Sequence, residues 1–161
     1  MKIILYLSAF ISCVCFACLC LTACGDDDKD IDRDYTNVHY TLRPGIGLLK
    51  FYTIKAYYTD FNGVSHEEEI KDVTEWDYRE KKEGTHPIKC RVTATAKTPE
   101  EYGEIDAASY DFSWEYSIHW YKMEGGAHSE QPYPSPNYIS KDNVVKFLAE
   151  NPTITLINFS K

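Results

Sequence analysis

Beyond its first 24 residues the sequence has almost no cysteine, since Cys90 is the only thiol there. An internal disulfide in that part of the chain is therefore excluded, and its stability must come from a packed core. Cys24 ends an N-terminal apolar segment. The other cysteines lie within that segment: Cys13, Cys15, Cys18 and Cys20. Their spacing resembles a thiolate metal site, but an apolar leader that is removed has no metal to hold.

Sequence motifs of nucleophilic and metal catalysis are also missing. There is no G-x-S-x-G, and the five histidines show neither H-x-x-x-H nor H-E-x-x-H spacing. Cys90 lies on the apolar side of an alternating segment, where a thiol is packed rather than reactive. We therefore predict no enzymatic activity, no metal site and no cofactor.

Positive charge is scarce as well. The chain has 17 basic and 25 acidic residues, a net charge of −8. Removal of residues 1–23 takes away Lys2 and no acid, which gives −9, and residues 35–161 alone carry −5. Recognition of nucleic acid requires a basic patch, so we predict no nucleic-acid partner.

The N-terminus carries a clear targeting pattern. Lys2 precedes an apolar run over residues 3–21 that ends in small residues, which is typical of a secretory signal peptide. A transmembrane helix is the alternative, because a run of this length can just cross a bilayer. The small residues before Cys24 and the charged tract after it favour cleavage.

The segment Leu21-Thr22-Ala23-Cys24 resembles a bacterial lipobox. The resemblance implies that residues 1–23 are a lipoprotein signal peptide and that Cys24 carries a diacylglyceryl thioether. It usually implies a further acyl chain, such as palmitate, on the new amino group. Two or more acyl chains give stable anchoring, so we expect the membrane itself to be one partner.

Residues 24–34 form the lipidated cysteine and an acidic tether with six aspartates against Lys29 and Arg33. Such a tract cannot bury enough apolar surface to fold. About ten extended residues reach about 35 Å, which lifts a domain clear of the headgroups. The tract is similar to the export signal of Bacteroidota-type surface lipoproteins. That similarity implies an outer-membrane protein that faces the cell exterior.

Residues 35–161 read as a single β-rich domain that contains twelve Tyr, five Phe and three Trp. Residues 86–97 alternate cleanly, with Ile88, Cys90 and Val92 on one side and polar residues on the other. Residues 108–121 repeat this pattern with larger side chains. A period of two is typical of a half-buried antiparallel strand.

Other strands are predicted at residues 37–43, 47–59, 64–70 and 153–159. Asp60-Phe61-Asn62-Gly63 indicates a tight hairpin turn, because Asn-Gly tolerates positive φ. Residues 141–150 indicate a short helix capped by Ser140, with one apolar side: Val144, Val145, Phe147 and Leu148.

Six or seven strands with one short C-terminal helix predict a mainly β fold, an immunoglobulin-like β-sandwich in architecture. The Cys…Trp…Cys spacing of true immunoglobulin domains is absent. A lipocalin-like β-barrel is the alternative, since inward aromatic residues could line a ligand cavity.

Function is predicted only as a class: a cell-surface binding or accessory module for a glycan or an outer-membrane protein. The alternatives are a lipocalin-type carrier or an enzyme. Residues 123–138 form a long Gly- and Pro-rich segment predicted as a loop, and loops on a rigid scaffold often bind ligands. The candidate ligand-binding residues lie in segments that resemble loops: Trp76, Tyr133 and Tyr138. We expect Tyr110, Trp114 and Trp120, on strand faces, to belong to the core.

Overall fold

The structure, a computed structural model, describes residues 34–71, 75–122, 126–131 and 137–161. Its contacts divide the chain into Met1–Arg33 and a second compact unit, Asp34–Lys161. The predicted signal peptide, Cys24 and most of the predicted tether therefore lie outside the described residues.

The elements of this unit are given in chain order. The first half contains β1 (Tyr35–Pro44), α1 (Ile46–Phe51), β2 (Tyr52–Thr59), β3 (Ser65–Ile70), β4 (Trp76–Glu83) and β5 (Lys89–Ala96). The second half contains α2 (Pro99–Tyr102), β6 (Ser109–Asp111), β7 (Trp114–Lys122), β8 (Gly126–Glu130), β9 (Tyr138–Ser140), α3 (Val144–Glu150) and β10 (Thr153–Ser160). A single 3-10 turn, Lys141–Asn143, leads into α3.

Two open four-stranded antiparallel sheets form a β-sandwich. The first sheet has the strand order β4-β1-β7-β8 and the second has β10-β5-β2-β3, while β6 and β9 form a small separate pair. The predicted sandwich is confirmed, and the described strands form no closed barrel, so the lipocalin-like alternative is wrong. β1 and β2 lie in different sheets here, whereas the first two strands of an immunoglobulin domain share one.

The core lies between the two sheets. Tyr40 and Ile118 of the first sheet and Ile54 and Val92 of the second are each at most 1 % exposed. Rings also cross the gap: Tyr58 of β2 lies 4.2 Å from Tyr78 of β4, measured between centroids. Each Å² of apolar surface buried across this gap contributes about 25 cal/mol of stabilisation, so the sandwich is stable without a disulfide.

The hairpin turn between β2 and β3 is as predicted. The backbone N–H of Asp60 donates to Val64 O at 2.9 Å, and Gly63 has a φ of +83°. Only glycine adopts that conformation readily, which explains the Asn-Gly pair. β3 lies at the edge of its sheet, as its acidic sequence predicts.

The prediction of a single strand over residues 47–59 is wrong, because its first part is the helix α1. Gly47, Leu48 and Phe51 are the buried residues of that helix, a spacing of one and three that follows a helical period. The backbone of Asp111 lies so close to Gly47 that an added Cβ would meet Asp111 O at 2.6 Å. Glycine is therefore required where α1 packs against β6.

The single predicted strand over residues 108–121 is divided in two. Asp111 accepts a hydrogen bond from the backbone N–H of Ser113 at 2.9 Å, which turns the chain between β6 and β7. Phe112, fully buried, fills the corner. This division, together with β4, β8 and β9, gives ten strands among the described residues rather than six or seven.

The C-terminal helix is present but differs in detail. Ser140 makes no side-chain cap; instead the Asn143 amide donates to Ser140 Oγ at 2.9 Å, and the segment starts as a 3-10 turn. Val144 and Leu148 are buried as predicted, whereas Val145 is 60 % exposed. The helix therefore offers a narrower apolar side than the sequence indicates.

Candidate functional site

A groove of about 410 Å³ lies on the second sheet. Its lining residues come from four strands: Tyr57, Tyr58, Thr59, Ser65, His66, Lys89, Cys90, Arg91, Asn158, Phe159 and Ser160. All of these belong to β2, β3, β5 and β10, and none belongs to the first sheet. Seven of the eleven residues share the outward face of the sheet in register, whereas Tyr58, His66, Cys90 and Phe159 are inward positions of the same strands. The groove is therefore assigned to the outer face of the second sheet.

Strand register decides which side chains face this groove. Arg91 of β5 is directly opposite Tyr57 of β2 on one side and Asn158 of β10 on the other. Lys89 is likewise opposite Thr59 and Ser160. Residues directly opposite one another in an antiparallel pair share a face, so these side chains form two adjacent rows across the sheet.

Acidic groups near the groove are already neutralised. Lys55 forms an ion pair with Glu67 on β3, and Lys71 pairs with Glu69 at 3.6 Å. Both acidic residues lie on the edge strand, and each has a lysine of its own. Among the residues that the structure describes, this face therefore carries no uncompensated acid on that edge.

Lys89 and Arg91 have no ion-pair or hydrogen-bond partner among the side chains of the described residues. Both are exposed, and one residue, Cys90, separates them along β5, so their Cα atoms lie about 7 Å apart on the same face. Asn158, also exposed and without a side-chain partner, adds an amide beside Arg91. Three donor side chains thus share one face, and none of them has an acceptor among the described side chains.

Tyr57 supplies the aromatic part of the site. It is 38 % exposed, one of few large hydrophobic side chains of the described residues to reach solvent. Tyr57 is directly opposite Arg91 in register, so an apolar side chain and a guanidinium occupy neighbouring positions on one face. Such a pair suits a ligand that has one flat apolar face and one polar or charged edge.

Cys90 lies between Lys89 and Arg91 but faces the core. It is 2 % exposed, and this burial raises the pKa of its thiol to about 12. The prediction that Cys90 is buried is confirmed. A neutral thiol beneath the sheet is a packing group and not a nucleophile.

His66 lies near the hairpin and is directly opposite Tyr58 in register, so it does not share the face of Tyr57 and Arg91. His66 Nε2 lies 2.9 Å from Asp60 Oδ2, and Tyr58 stacks on the imidazole with centroids 5.1 Å apart. The hydrogen bond with His66, followed by that from the Val64 N–H, holds the pKa of Asp60 below its usual value. His66 thus has a structural role at the hairpin.

Two of the three binding residues predicted from sequence lie in the described part of the chain. Trp76 is not in a loop: it is the first residue of β4, is 5 % exposed, and donates from Nε1 to Glu68 at 3.1 Å. Tyr138 is 67 % exposed on β9. Tyr133 lies outside the described residues. The structure does not bring these positions to the groove.

The segment 123–138, predicted as a loop, contains a strand. Residues Gly126–Glu130 form β8, which pairs with β7 at the edge of the first sheet. Met123, Glu124, Gly125 and residues 132–136 lie outside the description. The strand-face aromatics behave more nearly as predicted: Tyr110 is buried, while Trp114 and Trp120 are half-buried against the core.

A second recess, of about 360 Å³, lies near β8 on the first sheet. His119 and Tyr121 line it, together with Trp120, whose ring stacks on His128 with centroids 5.2 Å apart. Behind it Trp120 packs on Phe159, with centroids 4.7 Å apart. Its aromatic side chains are therefore tied to one another and to the core.

A metal centre and a membrane-spanning helix each place specific requirements on the described residues. No group of three or more His, Cys, Asp or Glu side chains there is arranged to hold a metal ion. In residues 34–71, 75–122, 126–131 and 137–161, the helices are too short or too polar to traverse a bilayer.

Sequence reasoning missed Tyr57, Lys89, Arg91 and Asn158 as a set. The polar side of β5 was visible as an alternation, but nothing in the sequence shows which strands flank it. Comparison of the chain with protein-family models, with curated proteins and with solved structures gave no match.

Proposed function

We propose that residues 35–161 act as a non-catalytic binding domain at the cell surface and take a glycan in the groove on the outer face of the second sheet. One observation carries the proposal. An exposed Tyr57 lies beside Arg91 and Asn158, whose donor groups have no partner among the described side chains. A sugar ring offers an apolar face for the tyrosine and oxygens for the donors.

The lipid anchor belongs to the same proposal. The segment Leu21-Thr22-Ala23-Cys24 supports lipidation at Cys24, and the acidic tether supports export to the outer face of the outer membrane. A binding domain on such a tether samples ligands outside the cell without leaving it. Mass spectrometry of the mature N-terminus tests the anchor: any mature start other than Cys24 overturns it.

The absence of catalysis is inferred from chemistry. The Cys90 thiol is buried, and its pKa is raised to about 12. The pairs His39–Asp77 and His66–Asp60 are each closed by a hydrogen bond of 2.7 and 2.9 Å respectively. A general base needs a free acceptor within reach of substrate, and neither pair offers one at the groove.

The test compares two exposed tyrosines. The full chain, purified in a nonionic detergent, is screened by glycan array and its affinities are measured by calorimetry. Tyr57→Ala is expected to weaken glycan binding about thirtyfold, the loss typical of a dominant contact. Tyr138→Ala is the matched control, because that ring is also exposed but lies on β9, which pairs with β6 and with no strand of the groove.

The reverse result would transfer the site to the region predicted from sequence. If Tyr138→Ala abolishes binding and Tyr57→Ala does not, the contact surface lies near residues 123–138. If the chain binds no glycan but captures a purified outer-membrane protein, the domain is an accessory subunit, and the glycan proposal is wrong. Circular dichroism of each variant confirms that folding is unchanged.

A further inference from the structure

The groove on the second sheet carries positive charge, although the domain as a whole is acidic. Residues 35–161 carry a net charge of −5, yet Lys89 and Arg91 face the groove without a counterion among the described side chains. Among the described residues neither cation has an internal acidic partner, so both side chains can meet an anion from outside the domain.

The guanidinium of Arg91 indicates which kind of anion the groove would bind. A guanidinium presents parallel N–H donors that match the two oxygens of a carboxylate, whereas an ammonium acts as a point charge. Arg91 lies in the middle of its row, between Tyr57 and Asn158. Lys89, in the next row, can reach the same anion or a second one about 7 Å away.

The side chains around Arg91 and Lys89 restrict the size and the polarity of the ligand's remaining part. Tyr57 and Asn158 are separated by two strand spacings, about 10 Å, with Arg91 between them. The side chains around Lys89 are Thr59, Ser65 and Ser160, which are small and carry hydroxyls. A ring that stacks on Tyr57 while its acid group reaches Arg91 fills this space, and its hydroxyls meet the small polar side chains.

We propose that the groove recognises a carboxylated sugar, such as a uronic acid unit of a polysaccharide, with its carboxylate held by Arg91 and Lys89 and its ring stacked on Tyr57. This rests on the proposed glycan-binding function and specifies its ligand class. Electrostatic attraction is local, since the domain as a whole repels anions. Affinity should therefore depend on the contact geometry and fall as salt rises.

The experiment uses the full chain in nonionic detergent with two matched probes. One is a hexagalacturonate, and the other is the same oligosaccharide with its carboxyl groups reduced to primary alcohols. We expect the acidic probe to bind at least tenfold more tightly than the neutral one. Raising the salt concentration should weaken binding of the acidic probe and leave the neutral probe unchanged.

Substitutions assign the effect to the groove. Arg91→Ala should remove the preference for the acidic probe, and Arg91→Lys should restore part of it because the charge returns without the fork. Arg79→Ala is the matched control. Its guanidinium lies on the first sheet, 3.1 Å from Asp77, and its loss should leave binding unchanged.

The outcomes separate this inference from the proposed function. If both probes bind equally and Arg91→Ala has no effect, the carboxylate inference is overturned while glycan binding stands. If neither probe binds but phosphatidylglycerol vesicles do, in an Arg91-dependent manner, the groove contacts lipid and both statements are overturned. If the array and both probes give no binding at all, the proposed function itself fails.

Discussion

The outer faces of the two sheets differ in how their polar groups are satisfied. On the first sheet, His39 and Arg79 both bind Asp77, at 2.7 and 3.1 Å, and the hydroxyls of Thr41 and Ser117 are 2.8 Å apart. The two hydrogen bonds, with that of Arg79 the stronger influence, hold the pKa of Asp77 below its usual value. On the second sheet, Arg91 and Lys89 have no such partners among the described residues.

Aromatic residues show the same contrast. On the first sheet, the ring of Tyr35 contacts two side chains. Lys81 Nζ lies 3.9 Å from its centroid, and the centroid of the Tyr121 ring lies 4.9 Å from it. On the second sheet, Tyr57 lies beside Arg91 and keeps 38 % of its surface exposed. A face whose groups satisfy one another has little to offer a ligand. Donors and a ring left without partners can gain new contacts on binding.

The largest expected effect lies on the inner faces, which are mainly apolar in both sheets and so do not differ as the outer faces do. Cys90→Ser places a hydroxyl among apolar neighbours and should cost about 1–3 kcal/mol in free energy of unfolding. Chemical denaturation measures the loss. The groove lies above Cys90 but does not use its thiol, so affinity for the probe should not change.

The pH dependence of the same variant is a second measurement of that burial. The thiol pKa is about 12 in the folded protein and about 8.5 in the unfolded chain, so the neutral thiol favours folding. Its contribution is full below about pH 8.5 and is lost as pH rises toward 12. Between about pH 8.5 and 10, wild-type protein should lose stability and Cys90→Ser should lose less. Rapid thiol labelling of folded protein would contradict the assignment.

An intermediate effect tests the paired face directly with one isosteric change on each sheet. Thr41→Val removes the partner of Ser117, which is 9 % exposed, and should cost about 1 kcal/mol. Thr95→Val on the second sheet removes an exposed hydroxyl with no side-chain partner among the described residues, and should change stability by less than about 0.5 kcal/mol. If urea denaturation shows equal losses in free energy of unfolding for the two variants, the proposed difference between the two outer faces is wrong.

The sequence was sufficient to predict what depends on local pattern. The alternation of β5 assigns Cys90 inward and both Lys89 and Arg91 outward, and Asn62-Gly63 marks the hairpin. These features depend on a period of two or on a single φ angle, and both are local. The sandwich architecture follows because several such strands must bury one face each.

The groove could not be predicted, because it depends on strand pairing between distant segments. Lys55 finds Glu67 across a hairpin, but Arg91 meets Tyr57 and Asn158 only through the register of β2, β5 and β10. The sequence pattern also does not show that Tyr57 faces outward. Residues 47–59 look apolar on both sides because α1, with its helical period, precedes β2.

β4 was missed because its inward side includes a polar residue with local partners. Glu80 accepts hydrogen bonds from Tyr78 Oη at 2.6 Å and from the Phe61 N–H at 2.9 Å. Those contacts satisfy a carboxylate at a position that a simple alternation reserves for apolar residues. Trp76 was consequently assigned to a loop, although it begins the strand and is buried.

The smallest expected effect compares two lysines on the second sheet alone. Lys55→Ala breaks the ion pair with Glu67 and should lower the free energy of unfolding slightly. Lys89→Ala should leave it unchanged or raise it, because the change removes repulsion from Arg91 and breaks no contact with a described side chain. The difference should shrink at high salt, where exposed charges are screened. A clear destabilisation by Lys89→Ala at low salt would mean that this lysine has a structural partner. The polar groups of the second outer face would then be paired within the protein, as those of the first are.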